Sequence, residues 1–422
     1  MSNVLASQKR EQEASTIGAL IGKAEQLLES HNQLEALIAS GEALKEMKNK
    51  SRRNQLELHR IQFVIDKIQE RNRIEEHQGA VYGVSFSPNG EMITSAGVDK
   101  KIRIFDPTGQ TLIAPLQGHQ EDIWSVRFSP DSQLLASASS DNTIKIWNKH
   151  GKLINTLKGH TKTVYDVSFS VDSQQLASSS KDGNIKTWDI KTGKFLKTLR
   201  DKDSIKKEEY IIYGLQFSPI NKSLLISTGF KDYDVNLWNL SNNKNDIPRH
   251  FGKNKSVVTS VKFNRNGTLI ASSDIKGVIK IWTLEGNLIG QIKAHQDAIA
   301  DLDFSSDNHL LASASIDRTI KIWRISQALK KWKQNQSILE EPLEILEGHQ
   351  GAVNRISFQP DSLILTSASD DETVRIWKVT KNDSETKILS NNDIDNLLNV
   401  TCKILKNYRK IKTNFIQICY NK

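Results

Sequence analysis

One segment of about forty residues recurs between residues 77 and 378, and its internal spacing constrains the fold more than any other feature. In the cleanest copy His119 is followed by Phe128 after nine residues, Ser137 after nine more, Asp141 after four more and Trp147 after six more. Laid along the chain, this ruler finds a strand-ending aromatic at Phe105, Trp147, Trp188, Trp238, Trp282, Trp323 and Trp377. A phenylalanine recurs at Phe86, Phe128, Phe169, Phe217, Phe263, Phe304 and Phe358. A serine recurs at Ser95, Ser137, Ser178, Ser227, Ser272, Ser313 and Ser367. The histidine falls at His77, His119, His160, His295 and His349, with Glu208 and Asn254 in the other two copies. The aspartate falls at Asp99, Asp141, Asp182, Asp232, Asp317 and Asp371, and Lys276 is the one exception.

A repeat of this length ending in Ile-x-Ile-Trp has the period of a propeller blade. These residues closely resemble the WD-repeat (WD40) family, over about three quarters of the chain. The resemblance implies an all-β, seven-bladed β-propeller, four strands to a blade, around a central channel. It also implies a buried hydrogen-bonded set in each blade. In the fullest copies that set is His119, Ser137, Asp141 and Trp147; His160, Ser178, Asp182 and Trp188; His295, Ser313, Asp317 and Trp323; and His349, Ser367, Asp371 and Trp377. Ser, His and Asp are also the parts of a hydrolase triad. A set repeated five times is structural, because an enzyme needs one site, so no catalytic residue and no enzymatic activity are expected.

Blades are expected at about 77–117, 118–158, 159–205, 206–252, 253–293, 294–346 and 347–380. Asn72 to His77 reads like Leu343 to His349, an outer strand leading into a loop. Residues 71–76 therefore supply the missing fourth strand of the last blade and leave no open edge. Blades four and five, which lack the histidine, form the weak sector. Insertions are expected at 201–209, 241–248 and 326–342; the last carries Trp332, which either folds back on the surface or serves as a second partner anchor.

The helical period takes over outside the repeats. Ile17, Leu20, Ile21, Ala24, Leu27 and Leu28 make one apolar stripe, Leu34, Leu37, Ile38 and Leu44 a second, and Leu58, Ile61, Ile65 and Ile68 a third. Ser30 and Gln33 read as a capping box between the first two, and Gly41 interrupts the second. Residues 1–70 thus form a helical segment, either a docked hairpin or an arm for a partner or a second copy. After a polar linker, Ile394, Leu397, Leu398, Thr401, Leu405 and Tyr408 mark a C-terminal helix within 381–422. This layout resembles bacterial signalling proteins that join a STAND-type ATPase to a WD-repeat array. No G-x-x-x-x-G-K-[ST] stretch is present, so no ATPase is expected here.

Charge and cysteine content bound the partners. The net charge is +9. Residues 1–76 hold twelve basic and twelve acidic residues, and 381–422 hold eight against four. Lys and Arg alternate with Asp and Glu, so no nucleic-acid stripe is expected. No apolar run reaches the ~18 residues of a membrane span. The two cysteines, Cys402 and Cys419, show no disulfide framework and no metal spacing, which suggests a reducing cytoplasm with no metal or cofactor.

The candidate site is a column of residues. In related propellers the residue after the buried Val or Ile of the first strand lies at the channel mouth. Here the column reads Tyr82, Trp124, Tyr165, Tyr213, Thr259, Ala300 and Asn354. Four neighbouring blades present large aromatics beside three small residues. The following column supplies Asp166, Asp301 and Arg355 around that recess. Aromatic faces and carboxylates both favour cations, which suits a peptide with a basic side chain; the alternative is that the rings plug the mouth. The expectation is a cytoplasmic, non-catalytic scaffold for a protein or peptide, or a sensor acting with a separately encoded ATPase or protease.

Overall fold

The computed structural model describes residues 2–50, 54–200, 211–228, 234–241, 248–251, 256–325, 341–380, 393–406 and 419. Glu208, Asp232, Asn254, Trp332 and Tyr408 lie outside the described residues, as do most of the three expected insertions. The chain divides into two compact units, Met1–Ile74 with Arg375–Lys422, and Glu75–Val374.

The first unit holds four helices, α1 (Ser2–Glu29), α2 (Gln33–Asn49), α3 (Gln55–Lys67) and α4 (Asp393–Leu405). The apolar stripes of all four meet in one core that includes Ile17, Ile21, Leu37, Leu44, Ile61 and Leu397. The C-terminal helix, expected to pack on the N-terminal helices or on the last blade, buries its apolar face against the N-terminal helices, which none of them could do alone. Three details differ from the sequence reading. Asn32, not Ser30, is the N-cap of α2, because His31 turns the chain at φ +60° first. Gln33 forms no capping box; its carboxamide oxygen instead accepts from the N–H groups of Gln69 at 2.7 Å and Glu70 at 2.9 Å. Gly41 is buried and α2 runs through it. The cysteine expectation is also overturned: Cys402 and Cys419 form a disulfide between α4 and the C-terminal tail. With no free thiols left, the argument from cysteines to a reducing compartment falls.

The repeats form seven four-stranded antiparallel sheets. The strands of blade two, Ile123–Phe128, Leu134–Ser139, Thr143–Asn148 and Leu153–Lys158, are typical. Six sheets follow chain order from inner to outer strand. The seventh takes Glu70–Ile74 as its fourth strand, beside Val374–Lys378. The apolar cores lie between blades rather than within them. One cluster joins Ala138, Ile144 and Leu157 of blade two to Val164, Phe169 and Trp188 of blade three. Equivalent clusters join blades one and two, three and four, four and five, and five and six. Each sheet is thus stable only against its neighbours, so the ring must close. Ser357 Oγ accepts from Phe86 N–H at 3.1 Å and Gln359 Nε2 donates to Gly90 O at 2.9 Å across the joint between the seventh and first blades.

The repeated polar residues are bound as the family resemblance implies. In blade two His119 Nε2 lies 2.7 Å from Ser137 Oγ, His119 Nδ1 lies 2.8 Å from Asp141, and Trp147 Nε1 donates to Ser137 Oγ at 3.0 Å. The proton arrangement follows from the inventory of donors. The indole can only donate, so serine accepts from it, and the carboxylate can only accept, so histidine Nδ1 donates to it. Burial lowers the pKa of His77 and His295, against the pull of Asp99 and Asp317. Burial would raise the Asp182 carboxyl, but the His160 hydrogen bond and the N–H groups of Thr161 and Asn184 hold it down to about 2. Burial would also raise Asp99, Asp141, Asp317 and Asp371, but their histidines together with Arg103 at Asp99 and the Thr143, Thr319 and Thr373 hydroxyls at the others hold them well below the usual carboxylate range.

Departures from the pattern are compensated locally. Blade one has Phe105 for Trp, and Arg103 Nη1 reaches both His77 Nδ1 at 2.8 Å and Asp99 at 2.6 Å. Blade five has Lys276 for Asp, and Asp274 takes over the turn, accepting from Lys276 N–H at 2.9 Å and Val278 N–H at 3.0 Å. The serine–tryptophan bond survives in blades four and five, at 2.8 and 2.9 Å.

Two outcomes are expected. Ser137→Ala leaves a buried indole N–H and imidazole without partners and costs about 1–3 kcal/mol by urea denaturation. For pH, a carboxylate held below its unfolded value contributes stability above pH ~4 that is lost on further acidification. A histidine held neutral below its unfolded pKa makes folding weaken as pH falls below ~6.5. The melting temperature should therefore decline gently below pH 6.5 and steeply between pH 4 and about 2.

Candidate functional site

The channel-mouth column owes its projection to a backbone irregularity. In six first strands the ladder slips by one residue just past the buried Val or Ile, for example between Val81 and Gly83, Ile123 and Ser125, and Val164 and Asp166. The same slip occurs at Val258/Ser260, Ile299/Asp301 and Val353/Arg355. The extra residue is Tyr82, Trp124, Tyr165, Thr259, Ala300 or Asn354. A β-bulge leaves such a residue out of the ladder and re-aims its side chain. In blade four Tyr213 precedes the shortened first strand Leu215–Phe217.

The four aromatics form one continuous arc. Tyr82 stacks on Trp124 with ring centroids 4.3 Å apart and planes within 5°. Trp124 meets Tyr165 edge-on at 5.4 Å, and Tyr165 meets Tyr213 at 5.2 Å. Each such pair adds about 0.5–1.5 kcal/mol beyond its burial. Trp124 Nε1 donates to Ser140 Oγ at 2.7 Å, which fixes the indole at the centre of the arc. All four rings stay partly exposed. The remaining positions are small and tied back: Thr259 Oγ1 bonds to Ile299 O, and Asn354 Nδ2 donates to Val81 O at 3.0 Å and Asp370 Oδ1 at 2.7 Å. The Tyr82 hydroxyl is pushed up by burial and then by the Asp370 and Asp122 carboxylates, so the acid at this rim comes from those two loop residues.

The other expected members of the site are elsewhere. Asp166 and Asp301 are fully enclosed, at 2% and 0% exposure, inside the channel. Arg355 lies between them, with Nη2 3.3 Å from Asp166 and Nη1 3.9 Å from Asp301. Ser125 donates to Asp166 at 2.6 Å, Ser260 donates to Asp301 at 3.0 Å, and Lys262 sits 3.1 Å from Asp301. Burial would raise both carboxyls, but Arg355, Lys262 and Arg127 lower them. Both carboxylates are taken up by these cations, so Asp166, Asp301 and Arg355 do not line a mouth recess. The bulge explains this, since it separates the side chain it lifts out from the next one, which points inward. Arg127 and Lys262 were missed. The signal was present: they stand two residues beyond the Ser125 and Ser260 positions, on the same side of a strand, with charges complementary to Asp166 and Asp301.

The serines of the blade network are no nucleophiles. Ser95, Ser137, Ser178, Ser313 and Ser367 are all wholly buried and hydrogen-bonded to histidine. Among the described residues no group of His, Cys, Asp and Glu could hold a metal ion, and no helix is long and apolar enough to cross a membrane.

Blade number, sheet order and the repeated polar set define the class: the chain is a seven-bladed β-propeller of WD40 repeats. Residues 69–106, 110–148 and 340–378 match the family described as WD domain, G-beta repeat, and residues 138–345 match the family described as IFT122 first beta-propeller. The WD40 repeat-containing protein HOS15 of Arabidopsis thaliana is 36% identical over 199 residues, covering 37% of this chain and 32% of that protein. Nuclear distribution protein PAC1 of Fusarium vanettenii is 30% identical over 159 residues, 33% of this chain and 34% of that protein. F-box-like/WD repeat-containing protein TBL1X of Homo sapiens is 30% identical over 108 residues, 22% of this chain and 18% of that protein. The chain thus spans about a third or less of the relatives it matches. Propellers of this kind are typically protein-interaction scaffolds.

The two sets of residues should separate experimentally. Arg355→Met leaves two enclosed carboxylates facing each other and should cost about 3–5 kcal/mol, read as a lowered denaturation midpoint. Trp124→Ala acts at a partly exposed position and should cost much less in the same assay.

Proposed function

We propose that this protein is a non-catalytic interaction platform whose aromatic arc, Tyr82–Trp124–Tyr165–Tyr213, holds a protein or peptide segment carrying a basic side chain. The observation that supports this most is the bulge itself. Six of the seven first strands break their ladder at the same position, and each break lifts one side chain toward the rim. Partly exposed rings flanked by Asp122 and Asp370 attract a lysine or arginine through ring faces and carboxylates together. Aromatic residues in such a setting dominate the energy of protein interfaces.

A second reading is a sensor subunit that works with a separately encoded signalling ATPase or protease, as the resemblance to bacterial STAND-type proteins suggests. The helical unit supports it, since α1 to α4 build a core of their own and offer a second attachment point. On this reading a partner binds the helices and the propeller carries the sensing surface. Self-association through the same helices is the third outcome that sedimentation would reveal.

The test is binding of fluorescent peptides that differ only in having lysine, alanine or glutamate at a central position. The lysine peptide should bind wild type best, and Trp124→Ala or Tyr165→Ala should weaken it at least tenfold without unfolding the propeller. Equal binding by the variants, or preference for the glutamate peptide, would reject the arc as the working face.

A further inference from the structure

The channel has a second opening, on the face of the Ser-Pro turns. A cavity of about 420 Å³ lies there, ringed by the phenylalanines that end the first strands. That volume is within the ~300–1,000 Å³ of small-ligand sites. Its floor is set by the residue just before each phenylalanine: Ser85, Arg127, Ser168, Gln216, Lys262, Asp303 and Ser357.

Most of this column does a structural job. Ser168 accepts from Phe217 N–H at 3.0 Å, Gln216 from Phe263 N–H at 2.7 Å, Asp303 from Phe358 N–H at 2.8 Å and Ser357 from Phe86 N–H at 3.1 Å. Each bond ties one blade to the next. Ser85 donates to Phe86 O instead, and Arg127 and Lys262 cannot accept a hydrogen bond, so the belt is open after blades one, two and five. The cations there need another explanation.

Their charge is not balanced. Arg127, Lys262 and Arg355 face only Asp166 and Asp301. The closest approach of Arg127 is an Nε 3.9 Å from Asp166, and among the described residues its guanidinium donates no hydrogen bond to protein. Lys262 is almost fully enclosed, and burial lowers its amino pKa, as do Arg127 and Arg355. Nearer the rim, Arg265 is matched by Asp303 at 3.4 Å, and exposed Asp361 adds the one further carboxylate on the lining. The surplus positive charge therefore sits at the floor, where Arg127 and Lys262 both line the cavity.

We propose that this cavity binds a small oxyanion, a phosphate- or carboxylate-bearing metabolite, through Arg127 and Lys262. The anion takes the place of the missing third carboxylate and accepts the free guanidinium hydrogens, a geometry that suits both phosphate and carboxylate. The site lies at the opposite end of the channel from the aromatic arc and does not depend on it.

The test is the full chain in sodium phosphate, sodium succinate or sodium chloride at equal ionic strength, followed by thermal denaturation and calorimetric titration. Phosphate or succinate should raise the melting temperature by a few degrees over chloride, and which of them does so identifies the anion class. Arg127→Ser should weaken that anion at least tenfold. Its melting temperature in chloride should stay close to wild type, since Arg355 and Lys262 still face the two enclosed carboxylates. Trp124→Ala should keep the full anion response. No stabilisation over chloride, or an unchanged response in Arg127→Ser, would overturn the proposal.

Discussion

A buried serine hydroxyl that accepts from an indole and is hydrogen-bonded to an imidazole holds each complete blade in register. The arrangement uses every proton. Tryptophan can only donate, the carboxylate can only accept, and serine and histidine relay between them. Where a member is missing, a neighbour must take over its bonds, as Arg103 does in blade one and Asp274 in blade five. The bonded set also fixes where the first strand starts relative to the second and third, and hence where the strand reaches the channel. The apolar surfaces then pack blade on blade, so the register of one sheet becomes the spacing of the ring.

That dependence explains why so much of the fold was legible. Residues that must meet across three strands recur at fixed intervals, and seven copies display the interval openly. The fourth strand of the last blade was legible for the same reason, since Ile74 and Glu76 copy the approach to His349. Helix existence was legible from apolar stripes. Local choices were not. Gln33 sits where a capping residue belongs, but its carboxamide serves two backbone N–H groups thirty-six and thirty-seven residues away. The Cys402–Cys419 pairing depends on how the tail after α4 returns, which spacing alone does not reveal.

The candidate site shows the same division more sharply. The aromatic column was visible because it departs from the repeat. Its neighbours Asp166, Asp301 and Arg355 looked equally free, being polar and next to the mouth. The bulge separates the two columns physically. One residue leaves the ladder and turns to the rim, and the next resumes it and turns into the channel. Carboxylates placed inward must be neutralised there, and besides Arg355 the cations that face them, Arg127 and Lys262, stand two positions beyond Ser125 and Ser260 on the neighbouring blades. Complementary charge at alternate strand positions was the readable sign that this network is internal.

The central claim is that ligand-facing chemistry belongs to the aromatic arc, three of whose four rings are lifted out by bulges. Oxidative footprinting with and without a bound lysine-containing peptide tests it most directly. The account predicts that Tyr82, Trp124, Tyr165 and Tyr213 lose reactivity on binding, while exposed outer-strand residues such as Phe195 and Leu196 keep theirs. Protection of the outer strands with an unchanged arc would contradict it.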